Sequence, residues 1–208
     1  MVDEDSAEDE SADGRPQLAA KRNTETVYQA AEDSRLLAAT AIERLSPADS
    51  VLDLGTGSGY VGARIRSEVG ASVVGSDLNA AACRQAADAG LAVVRGDMFS
   101  PFCDGSFDAV CCNPPYLPTP PEREWDDPME HALSGGPDGR TVVDPFLAGV
   151  GRVLPADGVA FLLISTLTGP EEVRQTAAEH GLDSAIIARE AYPFEELLVL
   201  RVTPHDEL

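Results

Sequence analysis

From Ser50 to Ser165 short apolar runs alternate with helix-length stretches, and the first run ends in Gly55-Thr56-Gly57-Ser58-Gly59. This alternation constrains the fold more than any other feature. Strands separated by helix-length connections pair in parallel, and their helices cover both faces of the sheet. The pattern predicts strands over Ser50 to Leu54, Ala71 to Ser76, Leu91 to Arg95, Phe107 to Cys112 and Val159 to Ser165. Helices fall between them: from the glycine turn to about Val69, Asn79 to Ala89, and Thr141 to Leu154. A further helix, Glu171 to His180, opens on Pro170. Two last strands, near Ala185 to Ile187 and Leu197 to Val202, have no helix between them and read as a hairpin. One strand of seven is then antiparallel. Ahead of the first strand, Leu36, Leu37, Ala41 and Leu45 recur at helical spacing, with Asp33 and Ser34 as capping residues.

Size fits one core. The 208 residues, 43% of them apolar, suit a single domain over 23–208. Residues 1–22 carry seven acids in the first thirteen positions and read as a solvated, disordered tail. No apolar run reaches the roughly 18–20 residues of a membrane span, and the N-terminus is acidic where a secretory leader is basic. The expectation is a cytoplasmic protein that is not membrane-bound. Acids outnumber bases 36 to 15, for a net charge of -21, and Lys21 is the one lysine. Spread along the whole chain, this is the composition of a halophilic surface, and it offers no basic stripe for a nucleic-acid duplex. Cys83, Cys103, Cys111 and Cys112 lack Cys-x-x-Cys spacing, and His131, His180 and His205 are scattered. No metal site is expected, and Cys111 and Cys112 read as small core residues.

In parallel sheets, ligands bind beyond the carboxyl ends of the strands, where this chain places its most distinctive residues. Gly55, Gly57 and Gly59 form a tight turn that a ligand can approach closely. Asp53 precedes it, suited to a cationic amino group. Asp77 ends the second strand, suited to two ribose hydroxyls, and Asp97 follows the third, suited to an adenine amino group. Gly57-x-Gly59-x-x-Gly62 also satisfies a dinucleotide fingerprint, so a nicotinamide oxidoreductase is an alternative. The acids at three strand ends favour a cationic nucleoside, S-adenosylmethionine.

The fourth strand runs into Asn113-Pro114-Pro115-Tyr116. An Asn side-chain oxygen and a rigid Pro carbonyl can each accept one N–H of a planar amide or amine. That arrangement fixes a weakly nucleophilic nitrogen for methylation. Tyr116 is placed to stack on the planar group.

These residues resemble the amino-methyltransferases, which share Asn/Asp-Pro-Pro-Tyr/Phe/Trp after the fourth strand. Val27-Tyr28-Gln29-Ala30-Ala31-Glu32-Asp33-Ser34 is similar to the Val-Tyr-x-Pro-Ala-Glu-Asp-Ser/Thr stretch of one branch, with Ala30 in place of Pro. That branch comprises the archaeal and eukaryotic HemK/PrmC-type glutamine methyltransferases. Leu133 to Arg140 resembles its Gly-Gly-x-x-Gly-Arg segment, and Glu190 to Leu200 its closing hairpin. The resemblance spans about residues 25 to 203. It implies a Rossmann-like class I methyltransferase fold: a seven-stranded, mainly parallel sheet with one antiparallel strand and helices on both faces. It implies S-adenosyl-L-methionine as cofactor, contacted by Ser34, Asp53, Gly55, Gly57, Asp77, Asp97, Met98 and Asn113, with Asn113 to Tyr116 as the substrate clamp. It further implies a class 1 translation release factor as substrate, methylated on the glutamine of its Gly-Gly-Gln loop. A small zinc-binding activator protein would join a sheet edge at Leu91 to Val94. The acidic loop Glu122, Glu124, Asp126, Asp127, Glu130 would either steer a basic substrate or be plain solvated surface. Two alternatives stay open: an adenine methyltransferase acting on DNA or RNA, and an inactive binding protein of the same fold.

Overall fold

The structure is a computed structural model that describes residue 27, residues 31–119 and residues 134–205. The tail, Tyr28 to Ala30, the acidic loop Glu122 to Glu130, His131 and Leu133 lie outside the described residues. Seven strands form one sheet: β1 (Ser50–Leu54), β2 (Ser72–Asp77), β3 (Ala92–Arg95), β4 (Ala109–Cys112), β5 (Val159–Ser165), β6 (Leu182–Ala191) and β7 (Glu196–Pro204). Their order is β3-β2-β1-β4-β5-β7-β6. The strands from β1 to β5 pair in parallel, and β7 runs antiparallel to both β5 and β6. The sheet therefore holds the single reversed strand that the missing last crossover predicts.

Among the described residues, five helices cover the sheet: α1 (Glu32–Ile42), α2 (Tyr60–Glu68), α3 (Ala80–Asp88), α4 (Val143–Val153) and α5 (Pro170–Glu179). Side chains alternate across a strand, so β1 feeds two cores. Val51 joins Leu37, Ala41, Ile65 and Ala86 under α1, α2 and α3. Leu52 and Leu54 join Phe146, Leu147, Val150 and Val173 under α4 and α5. Each fully buried Leu, Val or Phe contributes roughly 1.5–3 kcal/mol, so both helical layers are firmly held. Cys111 and Cys112 point one to each core, and burial pushes both thiols up, leaving them protonated.

The hairpin strands, α1 and β3 differ most from the sequence reading. The hairpin strands are ten and nine residues long, far beyond the short apolar runs seen in sequence. Strand β6 carries exposed polar residues because it is an outer strand. Helix α1 starts after Ala31, with no side-chain cap, so Asp33 and Ser34 lie inside its first turn and turn their side chains elsewhere. Leu91 falls before β3 and is buried, because its side chain packs in the core beside Gly62.

Candidate active site

Strand order reverses between β1 and β4, and a cavity of about 700 Å³ opens there at the carboxyl ends of the strands. It has the size of a small-molecule site. The turn after β1 forms its floor: Gly55 and Gly57 both have positive φ, at 68° and 53°. A Cβ on Gly55 would meet nothing within 4 Å, so this glycine is dictated by backbone conformation and an open approach. Gly59 behaves differently from expectation. It does not line this cavity; a Cβ there would sit 2.9 Å from Ala86 Cα, so the third glycine serves close packing of α2 on α3.

Asp53 reaches the cavity from β1 and is otherwise buried. Its Oδ2 accepts from Thr56 Oγ1 at 2.6 Å and from Gly62 N at 2.9 Å. Desolvation outweighs these bonds, with Asp77 adding repulsion, and the carboxyl is pushed up to about 6. Both bonds fall on Oδ2, which leaves Oδ1 for a cation. Asp77 closes the turn from β2, accepting from Gly57 N at 3.0 Å and Asn79 N at 2.8 Å. Asp97 and Met98 line the far wall with Leu78. Met98 holds φ at 46°, a strained value for a side-chain-bearing residue, of the kind that collects at ligand sites. Leu78 is 64% exposed, an apolar surface that a flat base would cover.

Across the cavity stand Asn113, Pro114 and Pro115. The Asn113 Nδ2 donates to Ser34 Oγ at 3.1 Å. Tyr116 is turned the other way: it is 2% exposed, lies in the core, and donates its hydroxyl to Asp33 Oδ2 at 3.1 Å. A stacking role for its ring is therefore corrected; its side chain anchors the motif to α1. Ser34 and Val27 line the same cavity, bringing the start of the described chain to the site.

Sequence reading missed Thr56, Ser76, Leu78, Asn79, Val142 and Asp33 as parts of this assembly. Asp33 and Ser34 looked like caps because both functions use the same residue types. Leu78 carried a signal, an apolar residue directly after a strand-end acid. Val142 carried none, because a distant loop brings it in.

A donor with a cationic amino-acid end, a ribose and a flat base fits these residues. Asp53 and Asp77 bring two carboxylates to the cavity, Gly55 and Gly57 leave space, and Leu78 and Met98 present apolar surface. Among the described residues no group of His, Cys, Asp and Glu gathers to hold a metal ion.

Residues 51–133 match the family model described as a methyltransferase domain. The chain is 33% identical over 180 residues to a protein named as a protein N5-glutamine methyltransferase in Methanocaldococcus jannaschii, covering 84% of this chain and 90% of that one. It is 31% identical over 191 residues to methyltransferase HEMK2 of Homo sapiens, covering 85% and 89%. Among solved structures it resembles a chain of the E. cuniculi Mtq2–Trm112 complex, which methylates the translation termination factor eRF1. That likeness has a TM-score of 0.71 and 29% identity, over 86% of this chain and 99% of the other. With its cavity, its sheet and these relatives taken together, the chain belongs to the family of S-adenosylmethionine-dependent protein N5-glutamine methyltransferases that includes HEMK2.

Proposed function

We propose that this enzyme methylates the side-chain amide of the glutamine in the Gly-Gly-Gln loop of a class 1 translation release factor. The observation that carries the reading is the orientation of Asn113. With Nδ2 engaged by Ser34, Oδ1 is the face of the amide left for the cavity. An amide nitrogen is a poor nucleophile because its lone pair is delocalised. Asn113 Oδ1 and the Pro114 carbonyl each accept one acceptor N–H, which fixes the nitrogen and draws density onto it. Pro114 and Pro115 keep these acceptors rigid. Bound in the cavity, S-adenosylmethionine supplies an electrophilic methyl group on a sulfonium. Asp53 holds its amino group, Gly55 and Gly57 leave it room, Asp77 takes the ribose, and Asp97 with Met98 takes the base. No histidine among the described residues lines the cavity, so the displaced proton leaves to water.

An activator subunit completes the assembly in this reading. Among the described residues strand β3 pairs only with β2, and Ala92–Arg95 is an outer edge with half its residues exposed. Strand addition would satisfy its open backbone groups. The E. cuniculi relative works in a complex with Trm112, which supports an activator subunit, and in this reading that subunit is a small zinc-binding protein at this edge. The protein acts in the cytosol as one domain over residues 23–208. Its acidic composition is read as halophilic adaptation, and nucleic acid is not its acceptor.

Labelled methyl donor, incubated with the enzyme and a release factor, tests the reading. Label is expected in the factor, and not in its Gln→Ala variant. Label in DNA or RNA instead would assign the clamp to a nucleobase amine.

A further inference from the structure

Three large apolar side chains stand exposed among the described residues: Leu78, Leu167 and Phe194. The donor cavity accounts for Leu78. The other two lie in neighbouring turns at the carboxyl edge of the sheet. Leu167, 39% exposed, belongs to the single 3₁₀ turn Thr166–Thr168 after β5; Phe194, 71% exposed, tips the β6–β7 hairpin.

The hairpin tip is held firmly. Glu196 N donates to Thr166 Oγ1 at 3.0 Å, joining the two turns. Tyr192 N donates to the Glu195 carbonyl at 2.8 Å. The Glu195 side chain is 6% exposed and accepts from Ser165 Oγ at 2.6 Å. Burying a carboxylate to fix a hairpin tip is costly. The tip fixed in this way holds its largest apolar group, Phe194, out in water.

The patch adjoins the reaction centre. Gly139 lies between the 3₁₀ turn and the clamp: a Cβ there would be 3.0 Å from Thr168 Cγ2 and 2.5 Å from the Tyr116 carbonyl oxygen. Strand β7 is two positions from β4 in the sheet, about 10 Å from the strand that delivers Asn113. Glu196 pairs with Arg189 at 3.6 Å and Glu190 accepts from the Tyr192 hydroxyl at 2.8 Å; with Glu195 the tip still holds three carboxylates against one guanidinium, so its complement carries apolar and basic groups.

We propose that Leu167 and Phe194 form a docking platform for the folded acceptor protein, gripping an apolar, basic-rimmed surface outside the methylated loop. The inference rests on the function proposed above. A folded substrate must be oriented as a body before its loop enters the cavity, and a rigid exposed aromatic is an efficient anchor.

The test compares Phe194→Ala and Leu167→Ala/Phe194→Ala with the wild type, each with its activator subunit, on two acceptors. One is an intact class 1 release factor; the other is a short peptide spanning its Gly-Gly-Gln loop. KM for the intact factor should rise about tenfold or more. Peptide kinetics and donor affinity should stay within about twofold, because neither side chain lines the donor cavity. Unchanged KM for the intact factor overturns the platform, and so does an equal loss on both acceptors. Loss of the activator or of a homo-oligomer in sedimentation would overturn it too, assigning the tip to that partner. If the wild type labels neither acceptor while binding donor normally, the proposed acceptor itself is wrong, and the platform falls with it.

Discussion

Ser34 Oγ receives the Asn113 Nδ2–H at 3.1 Å across 79 positions of sequence. This bond fixes which end of the Asn113 amide faces the acceptor. A hydroxyl has one donor and two acceptor sites, so Ser34 can hold Asn113 and still donate into the donor cavity that it lines. Asn113→Ala should lower kcat by about 10²–10³ with donor affinity nearly intact. Ser34→Ala should lower kcat about tenfold by misplacing the amide, and Ser34→Thr should restore most of it. Single-turnover rates with donor titrations check both. Full turnover in Asn113→Ala would remove the clamp.

Donor binding should depend on pH through Asp53. Its folded carboxyl is raised to about 6 from an ordinary value of 3.8, mainly by desolvation. A raised carboxyl contributes stability that is fully present below the unfolded value and lost as pH rises through the folded one. In the ligand-free protein the ionised group therefore costs about 3 kcal/mol near neutrality. Asp53→Asn should be more stable than wild type at pH 7.5, with the advantage shrinking towards pH 4. Donor binding needs the ionised form, so wild-type affinity should weaken by up to about tenfold per pH unit below 6. Denaturant melts and calorimetry at fixed salt measure both; a donor affinity flat from pH 5 to 7.5 would contradict the assignment.

The glycines of one turn should separate by function. Gly59→Ala combines φ of 82° with a 2.9 Å contact to Ala86 Cα, and should destabilise the fold by about 1–3 kcal/mol. Gly55→Ala has φ of 68° but open space, and should cost only about 1 kcal/mol while weakening donor binding. Thermal melts paired with donor titrations distinguish them. Equal effects on both readouts would refute the division.

Tyr116→Phe removes a hydroxyl that meets the buried Asp33. Stability should fall by about 1–3 kcal/mol, the cost of taking one bond from a buried charged group. A role confined to stacking of the ring, which Phe keeps, would leave both stability and acceptor KM nearly unchanged. Chemical denaturation and acceptor kinetics on the same variant decide between these outcomes.

The fold was largely legible because it rests on periodicities that the chain displays locally. Strand-length apolar runs, helix-length spacers and Gly55-Thr56-Gly57 each fix a conformation through residues close together in sequence. Asp53, Asp77, Asp97 and Asn113 could be placed at one edge of the sheet for the same reason. The hairpin strands were underestimated, since outer-strand residues in β6 need no apolar side chains to pair.

Sequence alone determined the order of elements, the single reversed strand and which strand ends carry acids. Local conformational preference and burial period suffice for those. Tertiary structure decided where side chains point. It sent Tyr116 into the core, gave Gly59 to helix packing, and took Asp33 and Ser34 from capping to the clamp. Those outcomes depend on contacts between residues far apart in the chain, where several partners of the same chemistry compete and only three-dimensional proximity chooses between them.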